Sequence, residues 1–273
     1  MTYDIDLSFA QTEENTQQYP AIQADNYQPK LKDSIKLCLN DKSYSLLTDD
    51  AITKLKSTAY ETEFGGNVTT VFSLPESARW IVLFKPQTFA YQKSSNEYLR
   101  IEKGTKFKEN GLVSACKLHL CCVVDGDLIL DRDGNPQVFT FNLKSLKTQI
   151  VDKMGSDKSG TLVGYNETIK KAVKSNGWLL HLFSLSLTAY PDKFVSKING
   201  ESSVACNFKM EDPKPLTKPQ QKAINDLITT NKELRESFKD PYGINRQKQP
   251  EQSTINPQDA IADLYPDDGS ILF

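Results

Sequence analysis

The chain has 273 residues, 38% hydrophobic and 25% charged, enough for one large or two small folded units with a real core. No stretch approaches the ~18 consecutive apolar residues of a membrane helix, and Met1-Thr2-Tyr3-Asp4-Ile5-Asp6 carries acid where a secretory signal carries base, so a cytoplasmic protein without a membrane segment is expected. The net charge of −2 hides a separation: residues 1–29 and 249–273 each carry −5 with no Lys or Arg, which leaves +8 between them, a pattern suited to nucleic-acid binding, to masking of a basic surface, or simply to solubility.

In chain order, residues 1–29 read as an acidic N-terminal arm, rich in Gln, Asn, Thr and Asp and too poor in apolar residues to fold alone. A strand-rich core domain over 30–212 follows. It opens with the apolar runs Ile35-Lys36-Leu37-Cys38-Leu39 and Tyr44-Ser45-Leu46-Leu47, and Thr48-Asp49-Asp50 then caps a short helix from Ala51 to Ser57. After Gly65-Gly66, four short strands are predicted over 68–74, 79–84, 88–92 and 99–102, each rich in β-branched and aromatic residues and bounded by Pro, Gly, Ser or Asn.

A β-meander over 112–124, 128–130 and 138–141 turns at Asp125-Gly126 and Asp133-Gly134, pairs that accept the positive φ of tight turns. Helices are predicted over 145–154 and 167–175. The apolar run 178–189, bounded by Gly177 and Pro191, reads as a buried strand, and 194–198 with 203–210 as a hairpin around Asn199-Gly200. Pro213 to Pro219 interrupts the core. Thr217 and Gln220 have the spacing of a capping box, and Ala223, Ile224, Leu227, Ile228, Leu234 and Phe238 form one stripe of an amphipathic helix, so 213–240 is a linker and helix. Residues 241–273 read as a flexible acidic tail with an apolar tip. The fold class is α+β, strand-rich, with an OB-like barrel as one way of closing the sheet.

Asp267-Asp268-Gly269-Ser270-Ile271-Leu272-Phe273 resembles the tips of bacterial and phage single-stranded-DNA-binding proteins, which set aspartates before a short apolar end in Phe. Here Gly269-Ser270 lie inside the motif and Leu272 stands where proline is usual. The resemblance implies that Asp267, Asp268, Ile271, Leu272 and Phe273 recruit replication or recombination enzymes, the ring filling a pocket and the acids meeting a basic rim. The alternative is that these apolar residues dock on the protein's own core. The layout also resembles an uncharacterised cyanobacterial family of strand-rich proteins, nearest at Gly177-Trp178-Leu179-Leu180-His181, a likeness that carries over no residue role.

A groove for single strands needs Lys and Arg for phosphates beside aromatic rings for bases. The richest stretch supplies Arg79, Trp80, Lys85, Phe89, Tyr91, Lys93, Tyr98, Arg100, Lys103, Lys106, Phe107 and Lys108, and alternation on a strand lets Phe89, Tyr91 and Lys93 share a face. The same rings equally suit an ordinary β core.

Five cysteines, an odd number, point to reduced thiols rather than a disulfide framework. Cys116 and Cys122 fall on one strand face and His119 and Cys121 on the other, so they do not surround one metal ion. Asp131-Arg132-Asp133-Gly134-Asn135 resembles a fragment of a calcium loop but lacks the later glutamate, and turn chemistry accounts for it. His119 and His181, the two histidines, sit in apolar runs, and no phosphate loop, nucleophile elbow or zinc-protease motif is present. No cofactor, no metal and no enzymatic activity are therefore expected. A single-stranded-DNA-binding protein is the leading expectation. The alternatives are an assembly protein that self-associates through its acidic arms and a metal-dependent nuclease with scattered ligands.

Overall fold

The computed structural model describes residues 19–24, 35–64, 67–84, 87, 89–92, 94–101, 110–144, 179–195 and 202–244. Twelve strands among them join one sheet: β1 Ala21–Ala24, β2 Leu37–Asn40, β3 Ala59–Phe64, β4 Asn67–Ser73, β5 Arg79–Val82, β6 Phe89–Gln92, β7 Glu97–Leu99, β8 Leu112–Val124, β9 Asp127–Leu128, β10 Val138–Lys144, β11 Phe183–Val195 and β12 Ser202–Pro215. The main path runs β12-β11-β5-β8-β10-β1-β2-β4-β3, with β6 and β9 also paired to β8 and β7 to β6. Every pairing is antiparallel except β1 with β10, where Ala21 faces Thr140.

The sheet curls into a half-barrel, and an isolated bridge between Ile35 and Ala189 brings the approach to β2 against β11. One side of it holds the main core. Ile22, Leu39, Trp80, Leu118, Leu120, Phe139, Phe141, Leu187 and Phe208 meet there, and Trp80 stands edge-on to Phe139 at 5.4 Å between centroids. Helix α2, Asp49–Leu55, adds Ala51 and Leu55 to the same core. It starts where the Thr48 hydroxyl accepts the Ala51 N–H at 3.1 Å, and it is preceded by one short helix, α1, Asp41–Tyr44.

The other face packs against helices. Ile81, Leu83, Cys121, Val123 and Val138 pack against Ile224, Leu227 and Leu234. The single stripe expected across these helical positions is two helices, α3 Lys218–Thr230 and α4 Lys232–Lys239. Asn231 separates them because its carboxamide accepts the Leu234 N–H at 2.9 Å, which caps α4. At the start of α3 the Thr217 N–H donates to Gln220 Oε1 at 2.9 Å.

β8 shows the physics most plainly. Alternation sends Cys116, Leu118, Leu120 and Cys122 into the main core and Cys121 and Val123 under the helices, so the end of the strand from Leu120 to Val124 is apolar on both faces. All five cysteines are buried thiols, none joined in a disulfide. The turn after β8 uses Asp125 at φ 51° and Gly126 at φ 93°.

Several expectations need correction. The acidic arm is not apart from the core over its whole length: Ala21–Ala24 forms β1 between β10 and β2. One strand, β11, covers the separate elements predicted at 178–189 and 194–198, after a turn of 3-10 helix at Leu180–Leu182. It runs through Pro191, which stands opposite Cys206 of β12 and beyond the short ladder that β5 makes at Leu185 and Ser186. β12 likewise extends through Pro213 to Pro215 as an outer strand of the sheet. β3 was not predicted. The helices expected over 145–154 and 167–175 lie outside the described residues.

Candidate nucleic-acid interface

β5 and β6 lie end to end along one edge of β8: Val82 pairs with Leu120 and Phe89 with Ala115. Phe89 and Tyr91 therefore share a face of β6, the face on which β8 carries Lys117 and His119. β7 sets Tyr98 opposite Tyr91, with ring centroids 5.0 Å apart. Phe89 and Tyr91 are buried and Tyr98 is half-buried.

The remaining ring arrives from the far end of the described chain. Asp240-Pro241-Tyr242-Gly243 has the composition of a type I turn, with Asp first, Pro second and Gly fourth. The Gly243 N–H donates to the Asp240 carbonyl at 3.2 Å, and the Ile244 N–H donates to the Asp240 carboxylate at 2.8 Å. Gly243 takes φ +67°, which its missing side chain permits. The turn lays Tyr242 flat on Tyr98, 3.7 Å between centroids and 7° between planes, with Phe89 edge-on at 5.3 Å. Lys117 donates from Nζ to the Pro241 carbonyl at 2.8 Å and sits 5.1 Å from the Tyr242 ring centroid.

Beside this cluster, Phe238 of α4 stacks on Phe84 at 4.5 Å, and both stand edge-on to His119. His119 Nε2 lies 3.1 Å from the Ser237 hydroxyl, while its buried Nδ1 meets no hydrogen-bond partner among the described residues. Burial, with Lys117 adding repulsion, lowers the His119 pKa to about 4. Burial also lowers that of His181, against a hydrogen bond with Asn225.

The structure thus gathers Phe89, Tyr91 and Tyr98 from the sequence-derived set and leaves two others elsewhere. Trp80 is 1% exposed in the main core, so its faces are taken by packing. Arg79 braces a β-bulge at which Asp212 and Pro213 oppose Leu185. Its Nε donates to the Ser184 hydroxyl at 3.1 Å, its Nη2 to the Asp212 carbonyl, and its Nη1 pairs with the Asp212 carboxylate at 2.9 Å. That hydrogen bond holds the Asp212 carboxyl below its ordinary pKa. Arg100 is exposed. Lys85, Lys93, Lys103, Lys106, Phe107, Lys108, Asp267, Asp268, Ile271, Leu272 and Phe273 lie outside the described residues.

Lys117 and Tyr242 escaped the sequence reading. The Asp-Pro-Tyr-Gly turn was the available signal for Tyr242, but its position after a proline at the end of a helix reads as the start of a tail. In the structure, residues 241–244 pack on the body, with Ile244 buried.

Asp131, from the calcium-like stretch, accepts the Asp133 and Asn135 N–H groups, each at 2.9 Å, which is turn chemistry. Among the described residues, no group of three or more His, Cys, Asp or Glu side chains is placed to hold a metal, and no helix is long and apolar enough to cross a membrane. No protein-family model, curated protein or solved structure matches the chain.

Proposed function

We propose that the protein binds single-stranded DNA without catalysing a reaction on it, and that the β6–β7 hairpin with the start of β8 is the contact surface. The observation that carries this reading is the grouping of Phe89, Tyr91, Tyr98 and Tyr242, with the Lys117 ammonium 5.1 Å from the centroid of the Tyr242 ring. Stacked rings beside a cation are what a base and its phosphate require. In sequence, the link from β7 to β8 carries Lys103, Lys106, Phe107 and Lys108. In this reading the curled sheet is an OB-like barrel, and Asp267, Asp268, Ile271, Leu272 and Phe273 recruit a replication or recombination enzyme.

Fluorescence anisotropy with labelled oligothymidine tests the proposal. Binding is expected at low salt, weakening as salt rises because phosphate contacts release counterions. Tyr98→Ala should weaken it about tenfold, the scale of one lost base stack. A flat titration at low salt refutes the reading. The burial of Phe89 and Tyr91 favours a second one, in which the rings are structural and the acidic segments drive assembly with other copies; sedimentation would then show an oligomer that ignores oligonucleotides.

A further inference from the structure

Resting on the single-strand reading, we infer that Pro241-Tyr242 is a built-in occupant of the stacking site, which a nucleotide must displace in order to bind. The segment supplies the two groups a nucleotide would bring. Its flat ring lies 3.7 Å from Tyr98 at 7°, the arrangement of a base on tyrosine. Its acceptor oxygen, the Pro241 carbonyl, accepts a hydrogen bond from the Lys117 ammonium at 2.8 Å, as a phosphate oxygen would. Lys117 and Tyr98 are thus engaged by the chain itself.

The occupant is built to leave without unfolding the body. Helix α4 is anchored upstream by Leu234, fully buried, and by the stack of Phe238 on Phe84. Pro241, Tyr242 and Gly243 are only half-buried between the buried Leu234 and Ile244, and Gly243, with no side chain, tolerates a wide change of backbone angle. Displacement gives up the stack on Tyr98, the edge contact with Phe89 and the two contacts with Lys117, and gains a base stack on Tyr98 and a phosphate contact with Lys117. The net effect on affinity is therefore the cost of expelling the resident ring.

The test compares full-length wild type, Tyr242→Ala and the double variant Tyr98→Ala/Tyr242→Ala by oligothymidine anisotropy at low salt. Tyr242→Ala should bind about fivefold more tightly than wild type, the scale of one ring stack, and Tyr98→Ala should abolish that gain. Should Tyr242→Ala fail to fold, Tyr242→Leu, which keeps an apolar cover on Phe89 but no flat ring, must show the same gain. Wild type that binds while the Tyr242 variant binds equally or less tightly overturns the inference and leaves the DNA reading standing. Wild type and variant that both fail to bind overturn the DNA reading and this inference with it.

Discussion

Acidification should unfold this protein earlier than its carboxylates alone require, because His119 is buried as a neutral ring. Its folded pKa of about 4 lies below the ordinary 6.5. A group whose charged form the fold rejects takes its proton first in the unfolded chain, so stability is lost as pH falls from about 6.5 toward about 4. Each unit of the gap is worth about 1.4 kcal/mol, which gives a loss of about 2 kcal/mol between about pH 7 and about pH 5, and about 3 kcal/mol once the pH is below about 4. The ring is 2% exposed, so solvent offers little relief. Urea unfolding followed by tryptophan fluorescence, for wild type and His119→Phe at both pH values, isolates the contribution, since every other group titrates in both proteins. Phenylalanine suits the site between Phe84 and Phe238 and gives up only the contact with Ser237. The wild type should lose about 2 kcal/mol more than the variant on going to about pH 5. Parallel losses, within about 0.5 kcal/mol, refute the reasoning, as would an imidazole proton resonance titrating near its ordinary value.

Two further outcomes bear on the core. Trp80→Ala should cost about 3–5 kcal/mol in chemical unfolding, through the lost ring and the cavity beside Phe139; a cost under about 1 kcal/mol together with a large drop in oligothymidine affinity would put the ring on a binding surface instead. The five cysteines should react with a thiol reagent in urea and stay silent in buffer, since all are buried and burial pushes the Cys121 and Cys122 thiols up. A fast-reacting thiol in the native protein contradicts the packing of β8.

The comparison of sequence with structure divides by range of interaction. Thr48 as a helix cap, the Thr217 to Gln220 spacing, the Asp125-Gly126 turn and the alternation of Cys116 and Cys122 against His119 and Cys121 were all legible, because each depends on residues a few positions apart. The short β1 was not, since Ala21–Ala24 is a strand only by virtue of its partners β10 and β2. Pro191 misled for a related reason: a proline breaks a strand only where a neighbour needs its N–H, and no local pattern reports the neighbours.

By itself, the sequence determined the strand-rich class, the turn positions and the separation of charge, all written in composition and in short periodicities. Tertiary structure alone decided which aromatic rings gather. Trp80 and Tyr98 are alike to composition, yet one fills the core and the other meets Tyr242, and Lys117 reaches Pro241 across 124 positions of chain. Base stacking and core packing draw on the same flat apolar surfaces, so the choice between them rests on long-range pairing that only the folded sheet supplies.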